Sequence, residues 1–163
     1  MIKGDSEEYD LLEKWAKFDC EGHYSCEIGV RQGLGSKIIM DNVKNNKIHV
    51  GVDPYGNLSY QHYDRKYTFS WPERWRGEFK VDYTDEMRDT LLNDFKEYRN
   101  NGKFVLANMT DTMFMCHPDW NEKTYAFVHF DGPHMSKDVL TEAVWFANRA
   151  APHARFVFDD TDK

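Results

Sequence analysis

Glu27-Ile28-Gly29-Val30-Arg31-Gln32-Gly33-Leu34-Gly35-Ser36 is the stretch that decides the fold. It follows Ser25-Cys26 as a short apolar strand closing into glycines, and it leads into Lys37 to Lys44, where Ile38, Ile39, Met40 and Val43 mark a short helix. The pattern is E-x-G-x-x-x-G-x-G. Glycine belongs where a turn is tight and a ligand must approach the backbone closely. The helix that follows aims its free N–H groups at that ligand. The spacing is not the dinucleotide G-x-G-x-x-G, so an NAD-dependent oxidoreductase is the lesser alternative.

Working outward, Ile48 to Asp53 is a second apolar strand, stopped by Pro54-Tyr55-Gly56-Asn57. Upstream, Leu11, Leu12, Trp15 and Phe18 stand at helical spacing within Ser6 to Phe18, in an N-terminal segment 1–22. From 58 to 81 the periodicity is lost, and aromatic residues from Tyr60 to Phe79 alternate with Arg, Lys and His, as in a lid or binding loop. Thr84 to Asn100 reads as a helix capped by Thr84 over Met87, with Leu91, Leu92, Phe95 and Tyr98 on one face. Phe104 to Ala107, Tyr125 to Asp131 and Ala154 to Asp159 read as strands. Ser136 to Arg149 reads as a helix with Val139, Leu140, Ala143, Val144 and Phe146 inward. Helices alternating with near-continuous apolar strands predict an α/β fold. It is a Rossmann-like, doubly wound, mostly parallel sheet with helices on both faces, formed by residues 1–163 as one domain.

In such a sheet the ligand lies outside the carboxyl ends of the strands. Four of the expected strands end at or just before an acid: Asp53, Asp111, Asp131 and Asp159-Asp160. Parallel strands would bring these acids to one rim. Asp53 also has a specific use, because a carboxylate at the end of the second strand can accept both hydrogen bonds of a ribose diol.

Composition narrows the class. The chain has 163 residues and 25 aromatic side chains, too many for a chain that stays unfolded. It has no run long enough for a membrane helix and no apolar leader core, which predicts a cytoplasmic protein with no membrane partner. A net charge of -7 argues against nucleic acid as the partner. Cys20, Cys26 and Cys116 form no C-x-x-C pair and read as free thiols.

Together, the glycine turn and Gly51-Val52-Asp53-Pro54-Tyr55-Gly56 resemble the cofactor half of class I S-adenosylmethionine-dependent methyltransferases. Phe127-Val128-His129-Phe130-Asp131-Gly132-Pro133-His134 and Phe156-Val157-Phe158-Asp159-Asp160 are similar to the metal-dependent O-methyltransferases, the group that holds catechol and macrolide-sugar enzymes and proteins labelled cephalosporin hydroxylases. The resemblance runs from about Ser25 to Asp160. It implies S-adenosylmethionine held by Gly29, Gly33 and Asp53, with Glu27, Gly35, Pro54 and Tyr55 in the same motifs and Asp111 near the adenine. It implies a divalent cation, expected to be Mg2+, on Asp131, Asp159 and Asp160, and His134 as general base, with Asp131 beside it in the catalytic group. Physical chemistry points the same way, since carboxylates crowded at one rim repel unless a cation lies between them. Oxygen ligands at an open rim suit magnesium. A metal lowers the pKa of a hydroxyl, and a histidine three residues beyond a ligand can collect the proton.

His129, mid-strand, reads as a packing histidine, and His117-Pro118-Asp119 reads as a loop. The expected acceptor is a small molecule or sugar with a hydroxyl. The alternatives are a cofactor-binding relative without methyl transfer and a nucleic-acid methyltransferase, the latter disfavoured by charge and by Asp131-Gly132-Pro133-His134 where base-modifying enzymes carry N-P-P-Y. The resemblance also implies a helix and an antiparallel strand pair beyond the fifth strand, for which three residues, Thr161-Asp162-Lys163, leave no room. The expectation is therefore either a fragment of a longer gene product or a minimal form whose apolar edge strand is covered by a second subunit.

Overall fold

The computed structural model describes residues 2, 4, 8–17, 21–44, 47–56, 84–132 and 135–159. The aromatic stretch 58–81, His134 and Asp160 lie outside the described residues. In chain order the elements are α1 (Tyr9–Ala16), β1 (Tyr24–Ile28), α2 (Leu34–Asn42), β2 (Ile48–Val52), α3 (Asp85–Asp94), α4 (Lys96–Asn100), β3 (Phe104–Ala107), α5 (Asp111–Cys116), α6 (Pro118–Asn121), β4 (Tyr125–Phe130), α7 (Ser136–Ala147) and β5 (Ala150–Phe158). The five strands form one parallel sheet in the order β3-β2-β1-β4-β5. The chain winds outward from β1 to β3, then returns to lay β4 on the other side of β1. The order therefore reverses between β1 and β4, where open sheets of this kind bind ligands.

Alternation along the strands separates two faces. Cys26, Ile28, Val50, Val52, Val128 and Phe130 pack with Phe114 of α5 and Phe146 of α7. On the opposite face Phe127 packs with Leu12 and Ala16 of α1 and Ile39 of α2. Leu91 and Phe95 join Val30, Tyr55 and Phe104 in a third cluster beside it. Phe95 stands edge-on to Phe104, with centroids 4.8 Å apart. Among the described residues no helix is long and apolar enough to cross a membrane.

The α/β expectation holds, and several details differ. In α1 the inward pair is Leu12 and Ala16, while Leu11 and Trp15 are exposed; small Ala16 lies against α2, and Trp15 takes the Arg155 guanidinium over its ring at 5.0 Å. The helix from Thr84 divides at Phe95, whose ring is fully buried. Its cap is as expected, with the Thr84 hydroxyl accepting from Met87 N–H. In α7 the buried pair is Glu142 and Phe146, while Leu140 and Val144 are 65% and 53% exposed. The large Phe146 ring sets that phase, packing edge-on against Tyr125 and Phe130. β5 begins four residues earlier than expected, because a bulge between its pairings with Tyr125 and Phe127 absorbs extra residues, with His153 at φ 63°.

Candidate active site

Parallel strands carry the acids to one end of the sheet. Asp53 follows β2, Asp111 opens α5 after β3, Asp131 follows β4 and Asp159 follows β5. The glycine turn lies among them. Gly29, at φ 86°, comes so close to the next strand that a Cβ there would stand 2.1 Å from the Asp131 carbonyl oxygen. The same approach lets Asp131 N–H donate to the Ile28 carbonyl at 2.9 Å. Gly33 and Gly35 are required by the protein's own packing, since a Cβ would meet Leu91 at 2.3 Å and Glu27 Oε1 at 2.0 Å respectively.

Asp53 is buried and accepts from the turn through one oxygen only. Val30 N–H and Arg31 N–H donate to Oδ2 at 3.0 and 2.9 Å. Oδ1 has no hydrogen-bond partner among the described residues. Burial pushes the carboxyl up to about 7, against the pull of those two backbone donors. A buried acceptor left open at the ligand end of the sheet is costly unless a donor arrives. A ribose hydroxyl is such a donor, so the residues present fit the nucleoside cofactor that the resemblance implies. Tyr55 is buried beneath the turn and donates its hydroxyl to the Arg31 carbonyl at 2.5 Å, and Pro54 is half-buried beside it.

Glu27 lies opposite Gly51 on β2 and His129 on β4. Its Oε2 accepts from the Ser36 hydroxyl at the start of α2, and its Oε1 lies 2.9 Å from His129 Nδ1. His49 extends the network, with Nδ1 3.0 Å from Ser25 Oγ and Nε2 3.0 Å from Ser36 Oγ. Burial, helped by the nearby His129, lowers His49 to about 3, so it is neutral. Five polar side chains, Ser25, Glu27, His49 and His129 on the strands and Ser36 on α2, thus form a buried, hydrogen-bonded row spanning β2, β1 and β4.

One donor atom each from His129, Asp131 and Asp159 lie within 4.8 Å of one another. Register explains this, because His129 pairs with Val157 and the next same-face positions are Asp131 and Asp159. Asp159 N–H also donates to the Phe130 carbonyl at 3.0 Å. Two carboxylates and an imidazole are donor types that divalent cations accept. Of the expected ligands Asp160, and with it the expected base His134, lies outside the described residues. Asp111 sits at the first position of α5, behind the Thr110 cap, hydrogen-bonded to Glu142 of α7. Burial first, and Asp111 second, push the Glu142 carboxyl up to about 9.

Sequence reasoning passed over His49, Glu142 and the place of His129 in the acidic rim. The one available signal was a polar residue recurring at apolar strand positions, as in Ser25, Glu27, His49 and His129.

A family profile described as a methyltransferase domain matches residues 26–161. No curated protein matches the chain. Among solved structures, one provisionally described as an rRNA methylase from Clostridium thermocellum is similar in fold, with a TM-score of 0.55 at 9% identity, covering 91% of this chain and 69% of that one. At that identity the likeness speaks for the fold alone.

Proposed function

The chain belongs to the methyltransferase-domain family, which implies S-adenosylmethionine as methyl donor, and on that premise we propose that it methylates a hydroxyl oxygen of a small molecule or sugar with divalent-cation help. The observation that carries this is the meeting of Asp131 and Asp159 at the switch point, against the turn at Gly29. When bound, S-adenosylmethionine supplies a methyl group on a sulfonium, a good leaving group. The chain's own work is alignment and deprotonation.

Asp53 Oδ1 supports a role in accepting from the ribose, because Oδ2 is already committed to the turn. Gly29 keeps the turn close to Asp131, so that a donor seated on the turn and an acceptor at the acidic rim would be neighbours. Asp111 is assigned to the adenine side. Asp131, Asp159 and Asp160 are assigned to a cation, whose chemistry would be to lower the pKa of the acceptor hydroxyl. His134 is assigned the proton that leaves. The net charge of -7 is opposite to what a phosphate backbone attracts, which favours a small acceptor over RNA.

The test is transfer of isotopically labelled methyl from S-adenosylmethionine to a panel of catechol and sugar hydroxyl acceptors, with and without divalent cation. Label recovered as an ether, dependent on cation, is expected. Label recovered on an amine or a nucleobase, or transfer indifferent to a chelator, contradicts the assignment.

A further inference from the structure

His129 is buried at 3% exposure in the middle of β4, yet one of its ring nitrogens belongs to the acidic rim. Its hydrogen bond among the described residues is from Nδ1 to Glu27 Oε1, at 2.9 Å. Glu27 is itself held from the other side by the Ser36 hydroxyl and is boxed in by Gly35, where a side chain would collide with it. A carboxylate that fixes one imidazole nitrogen sets the tautomer and leaves the second nitrogen with its lone pair. That is the outer-shell arrangement by which proteins orient a metal-binding histidine and raise its basicity. Donors around a six-coordinate ion at about 2.1 Å stand roughly 3–4.2 Å apart, and the three groups, within 4.8 Å, need only small adjustments to reach that spacing.

We propose that His129, Asp131 and Asp159 form a mixed nitrogen–oxygen site for a divalent transition-metal ion, with Glu27 orienting the imidazole. This deepens, and rests on, the cation-holding role proposed above, but it changes the ion. Magnesium favours oxygen ligands and dehydrates reluctantly, whereas an imidazole favours ions of the manganese-to-zinc series. Because Glu27 also touches the start of α2, the cation site and the glycine turn share one buried carboxylate.

The chain, stripped with chelator, is titrated calorimetrically with Mn2+, Co2+ and Mg2+, and bound Mn2+ is examined by pulsed EPR for nitrogen coupling. Mn2+ and Co2+ are expected to bind about tenfold or more tighter than Mg2+. The bound Mn2+ should show a coupled nitrogen that His129→Gln removes. Asp159→Asn, at a half-exposed strand end, should weaken both ions about tenfold or more. Should His129→Gln fail to fold, the wild-type coupling and Asp159→Asn decide the matter. Manganese bound without nitrogen coupling, coupling that survives His129→Gln, or equal affinity for magnesium overturns the mixed site and leaves the cation-holding rim intact. If none of the three ions binds, both fall.

Discussion

At Asp53 a single carboxylate gives one oxygen to the fold and, in the proposed function, keeps the other for the ligand. Oδ2 tethers the turn through Val30 and Arg31, and Oδ1 is a buried acceptor with no partner among the described residues. Asp53→Asn keeps the size and replaces an acceptor by a donor, so S-adenosylmethionine affinity should fall by about 1–3 kcal/mol, roughly five- to 150-fold. The pH dependence has a definite sign. With the carboxyl at about 7, protonation below that value removes the acceptor, so cofactor affinity should weaken as pH falls through about 7 and level off above it. Calorimetry across that window checks this, and a flat profile contradicts it. Gly35→Ala would place a Cβ 2.0 Å from Glu27 Oε1, within the buried polar row. It should lower stability by about 1–3 kcal/mol, seen as a lower denaturant midpoint. Much at this scale was legible. Asp53 after an apolar strand and the glycines before a helix are local patterns. The partnership of Glu27 with His129 was not, because it spans 102 residues and exists only once β4 lies beside β1.

Among the elements, the sequence shows where helices and strands lie better than how they are turned. The run from Ser136 offers apolar residues on more than one face, and counting them placed Leu140 and Val144 inward. The structure keeps Phe146 on the sheet, as the sequence implies, because its ring fits edge-on against Tyr125 and Phe130, but it turns Glu142 inward beside it, where Leu140 and Val144 were expected. Phe146→Ala should therefore cost about 3–5 kcal/mol of unfolding free energy. Leu140→Lys should stay within about 0.5 kcal/mol. Phe146 is inward in either phase, so Leu140→Lys decides between them: denaturant titration showing a loss of several kcal/mol for that variant would restore the phase read from the sequence. The bulge in β5 was equally hidden, since His153 at positive φ carries no turn signature. The strand ends were legible because each acid follows an apolar run, and parallel pairing then gathers them without further information.

For the whole molecule, buried titratable groups tie stability to pH. Glu142 is raised from 4.5 to about 9 and Asp53 from 3.8 to about 7, so the folded chain keeps protons that the unfolded chain releases. Stability should fall as pH rises through those windows. His49, lowered from 6.5 to about 3, acts oppositely, and its contribution is lost as pH falls below about 6.5. Between about pH 7 and 9 Glu142 is the group left to titrate among these three, with a slope of at most about 1.4 kcal/mol per pH unit. Glu142→Gln should flatten that slope, and denaturant midpoints measured through the window show whether it does. The doubly wound sheet, the family match and the open acceptor at Asp53 converge on one claim, that the switch point between β1 and β4 is a nucleoside-cofactor site specific for S-adenosylmethionine. Its most direct test is calorimetric titration of the chain with S-adenosylmethionine, S-adenosylhomocysteine and NAD. The account predicts one-to-one binding of the first two, weakened by Asp53→Asn, and no binding of NAD; binding of NAD alone would contradict it.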